Sequence, residues 1–289
     1  MSNDILLMTL DIILNSLIVI GIIVLFLYIR YNTKISLISN NKILPVSYSL
    51  MQTHKWNINV VPSEYIKPIN SWKSQNFNYV YYSNIDAYNY LLKHFGEHYA
   101  NIFDSINIGA FKADFFRYCW IYIEGGIYAD TDSLCLIDIE KWLEEYKDVD
   151  IILTRDDPSN KRAFYQAFIY SKKPKNILFK TCIEIILDNI HRYRMGDRFN
   201  EFHFTGPGLM YNAFCRINPD FLNKDLPIGL INTNCGNMLI MSWNGTNNNN
   251  YKIIDNYDRE IFKHKYEGCV VDNNPDYWIY QLTKPWIKN

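Results

Sequence analysis

Strand-like and helix-like segments alternate along this chain, and that alternation limits the folds open to it. β-Branched and aromatic residues at 78–84 and 150–155 predict strands. Segments 86–97 and 174–195 predict helices, and segment 111–126 predicts a helix that ends at glycine. Because strands that alternate with helices build a sheet covered by helices, the sequence predicts an α/β fold.

The N-terminal segment predicts a membrane anchor. Residues 5–29 are almost wholly apolar, with Asp11 and Asn15 as interruptions. A helix of this length can span a hydrocarbon core of about 30 Å. No basic segment precedes it and no small-residue cleavage site follows it, so an uncleaved anchor is favoured over a signal peptide. We therefore expect an anchor with a short stem at 1–34 and a folded domain at 35–289.

Charge and cysteine spacing argue against several classes of function. The formal net charge of −1 gives no general attraction to nucleic acid, so we expect no nucleic-acid partner. Six cysteines are present, but none form a C-x-x-C pair. This spacing disfavours zinc knuckles and thioredoxin-type motifs, and it leaves the disulfide status open.

Two aspartates, Asp130 and Asp132, follow the strand-like residues 127–129. Residues two apart on a strand face the same side, so the two carboxylates can converge on one cation. Mg²⁺ and Mn²⁺ prefer carboxylate and phosphate oxygens and keep positions open for substrate phosphates. A metal and nucleotide-sugar site is one interpretation of this pair, and two solvated aspartates in a turn are the other.

A second charged pair, Asp114 and Arg117, lies three residues apart on the predicted helix 111–126 and shares one of its faces. The simplest interpretation is a surface ion pair. However, large apolar residues surround the pair in the sequence, which predicts that it is partly buried. An Asp can accept hydrogen bonds from sugar hydroxyls, and an Arg can contact phosphate or a sugar hydroxyl.

Together these residues resemble the sugar-binding region of the DXD-containing glycosyltransferases of family 32. That family includes initiating α-1,6-mannosyltransferases, inositol phosphoceramide mannosyltransferases and α-1,4-galactosyltransferases. The resemblance is strongest over 109–136, where Ala113 replaces the usual serine and Ile121 the usual leucine. The matching positions are Ala110, Asp114, Arg117, Gly125, Gly126, Tyr128, Asp130 and Asp132.

Weaker matches extend the resemblance to roughly residues 43–270. Gln52 lies in a segment similar to the family's opening motif, and Gln166 takes the place of a family Asn. Residues 204–211 match a T-G-P loop, and His264 belongs to a segment similar to the family's terminal motif.

The resemblance implies a GT-A-type, Rossmann-like mixed sheet with flanking helices, preceded by one transmembrane helix, with the catalytic domain at 35–289. It implies metal-dependent, retaining transfer of a hexose from a UDP- or GDP-sugar to a glycan, glycolipid or protein acceptor. It also implies a single-pass endomembrane protein of Golgi or ER type. Arg30, Lys34 and Lys42 follow the span, however, and favour a cytosolic domain, so the orientation stays open.

The resemblance also implies roles for single residues. Asp132 would bind Mn²⁺ or Mg²⁺ directly, and Asp130 would contact the donor ribose and the water around the metal. His264 would be a third metal ligand or a phosphate contact, unless it is an ordinary surface histidine. The donor would be bound by Asp114, Arg117, Gly126, Tyr128, Gln166 and Gln52. The acceptor side would be shaped by Thr205, Gly206, Pro207 and Gly208, which could equally form a turn that leads into a helix.

Two other functions remain open at this point. The same carboxylates could serve a metal-dependent phosphohydrolase or nucleotidyltransferase, although the sequence offers neither a third clustered carboxylate nor a P-loop. A carbohydrate- or nucleotide-sugar-binding protein without catalytic activity is the other alternative.

Overall fold

The computed structural model of the chain describes residues 49–156, 160–244, 252–263 and 283–288. The expected anchor at 1–34 and His264 lie outside these ranges. Within them, no helix is both long enough and apolar enough to cross a membrane.

The described strands form one mixed sheet. Its spatial order is β2-β1-β3-β6-β5-β8-β9-β10-β4, and β7 pairs with β8. In chain order the strands are β1 (Ser49–Thr53), β2 (Asn78–Tyr82), β3 (Gly126–Ala129), β4 (Leu134–Cys135), β5 (Ile151–Arg155), β6 (Phe164–Ser171), β7 (Gly229–Thr233), β8 (Gly236–Asn244), β9 (Lys252–Ile254) and β10 (Glu260–Lys263).

Helices cover the sheet and connect most of its central strands. They are α1 (Ile66–Lys73), α2 (Asn84–Phe95), α3 (Glu97–Ser105), α4 (Gly109–Glu124), α5 (Ile139–Glu145), α6 (Ile177–Arg194), α7 (Glu201–Phe204) and α8 (Pro207–Ile217). The predicted α/β class is therefore confirmed.

Side-chain alternation along the strands divides the core between the two faces of the sheet. Neighbouring residues such as Leu50 and Met51, or Ile127 and Tyr128, belong to different apolar clusters. Residues of α2, α3, α4, α6 and α8 build the cluster on one face, and residues of α1 and α5 help to build the other. A sheet covered on both faces needs apolar residues at consecutive strand positions, which these strands supply.

Local signals explain where the helices begin and end. A capping box between Ser83 and Asp86 starts α2, two residues before the predicted start. Gly96, with φ at 84°, separates α2 from α3, a helix that the sequence pattern did not predict. The predicted helix at 111–126 is α4, and it ends at Gly125, which has a φ of 68°.

The next glycine, Gly126, is required by a close approach of two strands. Its φ is 80°, and a Cβ atom built on it would lie 2.3 Å from the carbonyl oxygen of Ser49. β1 runs parallel to β3, so the two strands end at the same edge of the sheet. This geometry brings the residues that follow Thr53 to the residues that follow Ala129, where the predicted site lies.

Candidate active site

A cleft opens at the edge where the parallel strands β1 and β3 end, which is where ligands bind in many open α/β sheets. Arg117, Tyr128, Asp130 and Asp132 all line it. Both aspartates thus line one cleft, although they lie in the turn after β3 and not on the strand itself; their convergence on one cation stays a prediction.

The backbone of Asp130 is held from several directions. Its N–H donates to the carbonyl of Ala167 on β6 at 2.8 Å. Its own carbonyl accepts hydrogen bonds from Gln52 Nε2 at 3.0 Å and from Ser133 Oγ at 2.7 Å. Gln52 is fully buried and also accepts a hydrogen bond from Tyr79. The structure thus places Gln52 as a support of the aspartate turn.

Arg117 connects the two charged pairs that the sequence singled out. Its Nη2 lies 3.4 Å from Asp114 Oδ1 and 3.4 Å from Asp130 Oδ1. Its Nη1 donates to the carbonyl oxygen of Gln166 at 2.9 Å, and its guanidinium carbon lies 4.5 Å from the centre of the Tyr128 ring. Because Asp114 and Arg117 are each only 6% exposed, the predicted burial of this pair is confirmed.

Burial shapes the electrostatics of this cluster. Desolvation raises the pKa of Asp114 to about 6, although Arg117 and a hydrogen bond from Thr205 act in the opposite direction. Burial alone would lower the pKa of Arg117, but Tyr128, Asp130 and Asp114 surround it and raise the pKa. Burial also raises the pKa of Tyr128, whose hydroxyl donates to Asp130 Oδ1. The guanidinium therefore stays charged between two carboxylates.

The carboxylates fit a divalent cation of the kind that phosphate-binding sites use. Asp130 and Asp132 face the same cleft and offer hard oxygen ligands. One oxygen of Asp130 accepts the Tyr128 hydroxyl and lies near Arg117. No group of three His, Cys, Asp or Glu side chains suited to a metal occurs in the described ranges. The other positions of such an ion would be filled by substrate oxygens, by water or by residues outside those ranges, such as the predicted ligand His264.

Several residues predicted to touch the donor or the acceptor do not line the cleft, although some of them bond to residues of the site. Gly126 is at the start of β3, the end remote from Asp130. The Gln166 side chain donates to the buried Tyr118 hydroxyl. Thr205 is fully buried and its Oγ1 donates to Asp114 Oδ2 at 2.7 Å. Gly206 and Pro207 start α8.

Gly208 is fixed by packing of α8 on α7. A Cβ atom built on it would lie 2.5 Å from the His203 ring. The interpretation of 205–208 as a turn that leads into a helix therefore describes its local geometry.

The cleft also contains basic residues that the sequence analysis did not select. His54 and Lys55 follow β1. Lys112 is the fourth residue of α4, and all three line the cleft. Lys112 is largely buried, and desolvation lowers its pKa. His54 and Lys55 lie in the same matched segment as Gln52, and Lys112 lies within 109–136, which was the available signal.

Comparison with known proteins gives this geometry a context. Residues 62–157 match the family model described as the glycosyltransferase sugar-binding region containing DXD motif. That stretch includes Asp114, Arg117, Asp130 and Asp132. The resemblance predicted from 109–136 is therefore confirmed.

The curated relatives carry glycosyltransferase names. An uncharacterized glycosyltransferase of Acanthamoeba polyphaga mimivirus is 25% identical over 170 residues, which cover 58% of this chain and 64% of the relative. The initiation-specific alpha-1,6-mannosyltransferase of Candida albicans is 28% identical over 105 residues, covering 34% and 27%. The putative glycosyltransferase HOC1 of Saccharomyces cerevisiae is 22% identical over 177 residues, covering 53% and 45%.

The chain spans less than two thirds of the length of each of these relatives. Among solved structures, the PaToxG glycosyltransferase matches with a TM-score of 0.43 and 17% identity, over 62% of this chain and 74% of that chain. The matched family model and these relatives all carry glycosyltransferase names.

Proposed function

Because residues 62–157 carry the DXD-containing sugar-binding region of glycosyltransferases, we propose that this chain transfers a hexose from a nucleotide sugar to an acceptor hydroxyl. One observation carries the proposal. Arg117 lies between Asp114 and Asp130 in a cleft that Asp132 also lines. The acceptor would be a glycan, a glycolipid or a protein.

The cleft has groups for both halves of a nucleotide sugar. The Asp114 carboxylate and the Arg117 guanidinium would orient the hexose. The carboxylate can accept hydrogen bonds from sugar hydroxyls, and the guanidinium can donate hydrogen bonds to them. The donor leaves as a nucleoside diphosphate, so negative charge grows on the departing oxygen. Arg117, Lys55 and Lys112 provide positive charge around the same cleft, where it stabilises the negative charge on the departing diphosphate.

Asp132, supported by Asp130, would hold Mn²⁺ or Mg²⁺. When bound, such an ion neutralises charge on the diphosphate and so makes it a better leaving group. The chain's own contribution is to fix the aspartate turn through Gln52 and Ala167, and to fix one oxygen of Asp130 through Tyr128.

The proposal also includes a GT-A-type fold and a reaction that retains the anomeric configuration of the sugar. A mixed sheet with the cleft where parallel strands end is consistent with a GT-A-type fold. Retention of the anomeric configuration follows from the family resemblance, and a same-face mechanism needs no protein nucleophile. The anchor at 1–34 stays a prediction and would place the catalytic domain beside a membrane.

A donor panel tests the proposal. The purified full-length chain is incubated with Mn²⁺ and with UDP-glucose, UDP-galactose, UDP-N-acetylglucosamine or GDP-mannose, and release of UDP or GDP is measured. We expect slow hydrolysis of at least one donor and its loss on chelation of the metal. Asp132→Asn should lower the rate by about a hundredfold or more. The matched variant Asp220→Asn, which changes an exposed aspartate in the turn Pro219–Phe221, should keep it.

Other outcomes identify the competing functions. Release of inorganic phosphate from simple nucleotides, without preference for sugar conjugates, indicates a phosphohydrolase. Binding of a donor without turnover, even with candidate acceptors added, indicates a binding protein. Either result contradicts the proposal.

A further inference from the structure

We propose that Thr205 is a positioning residue of the donor-sugar site, and that it acts by orienting the Asp114 carboxylate. The inference rests on the proposed function, because it assigns Asp114 to the donor sugar. It gives Thr205 a role that the resemblance does not, since the resemblance places residues 205–208 on the acceptor side.

The two oxygens of Asp114 are held by different elements. Thr205 donates its hydroxyl to Oδ2 at 2.7 Å, and Arg117 Nη2 lies 3.4 Å from Oδ1. The Thr205 contact is the shorter of the two and joins residues 91 positions apart in the chain. The plane of the carboxylate is therefore fixed by a hydroxyl from the α7–α8 junction and by a guanidinium from α4.

The junction that carries Thr205 is itself rigid. Asn189, a buried residue of α6, donates from Nδ2 to the carbonyl oxygens of His203 at 3.1 Å and Phe204 at 2.9 Å. These hydrogen bonds satisfy carbonyl groups in the last turn of the short helix α7, directly before Thr205. On the other side, Gly208 leaves no space against the His203 ring. These contacts hold the backbone that carries the Thr205 side chain beside Asp114.

Burial makes this hydroxyl important. Thr205 is fully buried and Asp114 is 6% exposed, so water cannot replace the bond easily. A buried carboxylate oxygen that loses its donor carries an uncompensated desolvation cost. The hydrogen bond also acts against the burial that raises the pKa of Asp114, and its loss should raise that pKa further above 6. An ionised, fixed Asp114 is the form that accepts hydrogen bonds from sugar hydroxyls.

Three variants of the full-length chain test the inference. Thr205→Val removes the hydroxyl at nearly constant shape, and Thr205→Ser keeps the hydroxyl. Thr181→Val is the matched control, because Thr181 is a buried threonine of α6 whose hydroxyl donates to the carbonyl oxygen of Ile177 at 2.9 Å, outside the cleft. Should Thr205→Val not fold, Thr205→Ala takes its place. The probe is the nucleotide sugar of the donor panel that the wild type hydrolyses fastest.

The readouts are kcat and KM for that donor and the dependence of kcat/KM on pH. For Thr205→Val we expect kcat/KM at pH 7 to fall by about tenfold or more, as for loss of a hydrogen bond to a charged group. Because Asp114 must be ionised, the acid limb of the profile should move to higher pH. Thr205→Ser should restore both quantities to within about threefold, and Thr181→Val should leave the acid limb at its wild-type position.

The failures are distinguishable. If the wild type turns over a donor and Thr205→Val keeps the wild-type acid limb and kcat/KM, Thr205 has only a structural role and this inference falls while the proposed function stands. If the wild type neither binds nor turns over any donor of the panel, the proposed function is contradicted. This inference, which rests on it, is then contradicted as well.

Discussion

Two buried aspartates, each paired with an arginine nearby in sequence, behave in opposite ways in this molecule. Asp114 has Arg117 three residues later, with a closest contact of 3.4 Å, and desolvation raises its pKa to about 6. Asp255 has Arg259 four residues later, with a contact of 2.8 Å. Although burial opposes the change, hydrogen bonds lower the pKa of Asp255.

The number of donors explains the difference. Asp255 accepts side-chain hydrogen bonds from Trp142, Tyr146 and Arg259, and backbone hydrogen bonds from Tyr257 and Arg259. Asp114, in contrast, accepts one short hydrogen bond from Thr205 and has a longer contact to Arg117. A carboxylate that accepts several hydrogen bonds is stabilised in its ionised form, and one that accepts few is not.

The comparison distinguishes a buried aspartate that stabilises the fold, Asp255, from one that belongs to the candidate site, Asp114. Asp255 ties β9 and the turn after it to α5, on the face of the sheet away from α4. Asp114 belongs to the network of the cleft. Groups left short of partners beside a cleft are typical of binding sites, because a ligand can supply the missing partners.

The largest effect on stability is expected at the structural aspartate. Asp255→Ala leaves the indole N–H of Trp142 without its acceptor and removes one carboxylate partner of Arg259, while the Tyr146 hydroxyl keeps Asn256 as an acceptor. We expect the free energy of unfolding, measured with urea, to fall by about 3–5 kcal/mol. Turnover per folded molecule should stay at the wild-type value. A loss of turnover as large as the loss of stability would remove the distinction between the two networks.

The pH dependence of stability should carry the signature of Asp114. Its folded pKa, about 6, is higher than its ordinary value, so the folded state holds this proton more tightly than the unfolded state. The stability that comes from this proton is complete at low pH and is lost as the pH rises from about 4 to about 6, by on the order of 2 kcal/mol.

Urea unfolding of the wild type and of Asp114→Asn over this pH range measures the effect. The difference between the two curves isolates Asp114 from other titrating groups. In the variant this part of the decrease should be absent. Parallel curves for the two proteins would show that burial does not raise the pKa of Asp114.

A smaller effect on turnover is expected at Tyr128. Tyr128→Phe removes the hydroxyl that donates to Asp130 Oδ1, and kcat/KM for the donor should fall by roughly tenfold. The matched change is Tyr211→Phe, which removes a hydroxyl that donates to the carbonyl oxygens of Phe221 and Lys224. It should cost stability and leave turnover unchanged. Equal losses of turnover in the two variants would count against a special role of the cleft tyrosine.

The smallest effect is expected when Asp255 loses a single donor. Trp142→Phe keeps most of the aromatic packing and removes one hydrogen bond of 3.0 Å. The free energy of unfolding should fall by about 1 kcal/mol, because the remaining donors still hold the carboxylate. A loss as large as that of Asp255→Ala would mean that the tryptophan dominates the network.

Local signals made much of the fold and part of the site predictable. The end of α4 at Gly125, the strand up to Ala129 and the burial of Asp114 and Arg117 all follow from residues close together in the sequence. The family pattern is also local, because it lies on one helix, one turn and one strand. These features could be predicted from the local sequence and from the family resemblance.

Partners distant in sequence could not be predicted in this way. The bonds of Gln52 to Asp130, of Thr205 to Asp114 and of Trp142 to Asp255 join residues 78, 91 and 113 positions apart. Only the folded sheet and its covering helices bring them together. The resemblance implies that Gln52 and Thr205 contact substrate, which stays a prediction; their bonds to Asp130 and Asp114 could be found only in the structure.

The central claim is tested most directly by one matched pair, Arg117→Lys and Arg259→Lys, assayed for donor turnover and for unfolding in urea. A lysine cannot reproduce the planar contacts of either guanidinium. We predict that Arg117→Lys lowers kcat/KM per folded molecule by about a hundredfold. Arg259→Lys should lower stability and change kcat/KM by less than about threefold, because Arg259 lies outside the cleft. Equal losses of kcat/KM in the two variants would contradict the assignment of the Arg117 network to catalysis.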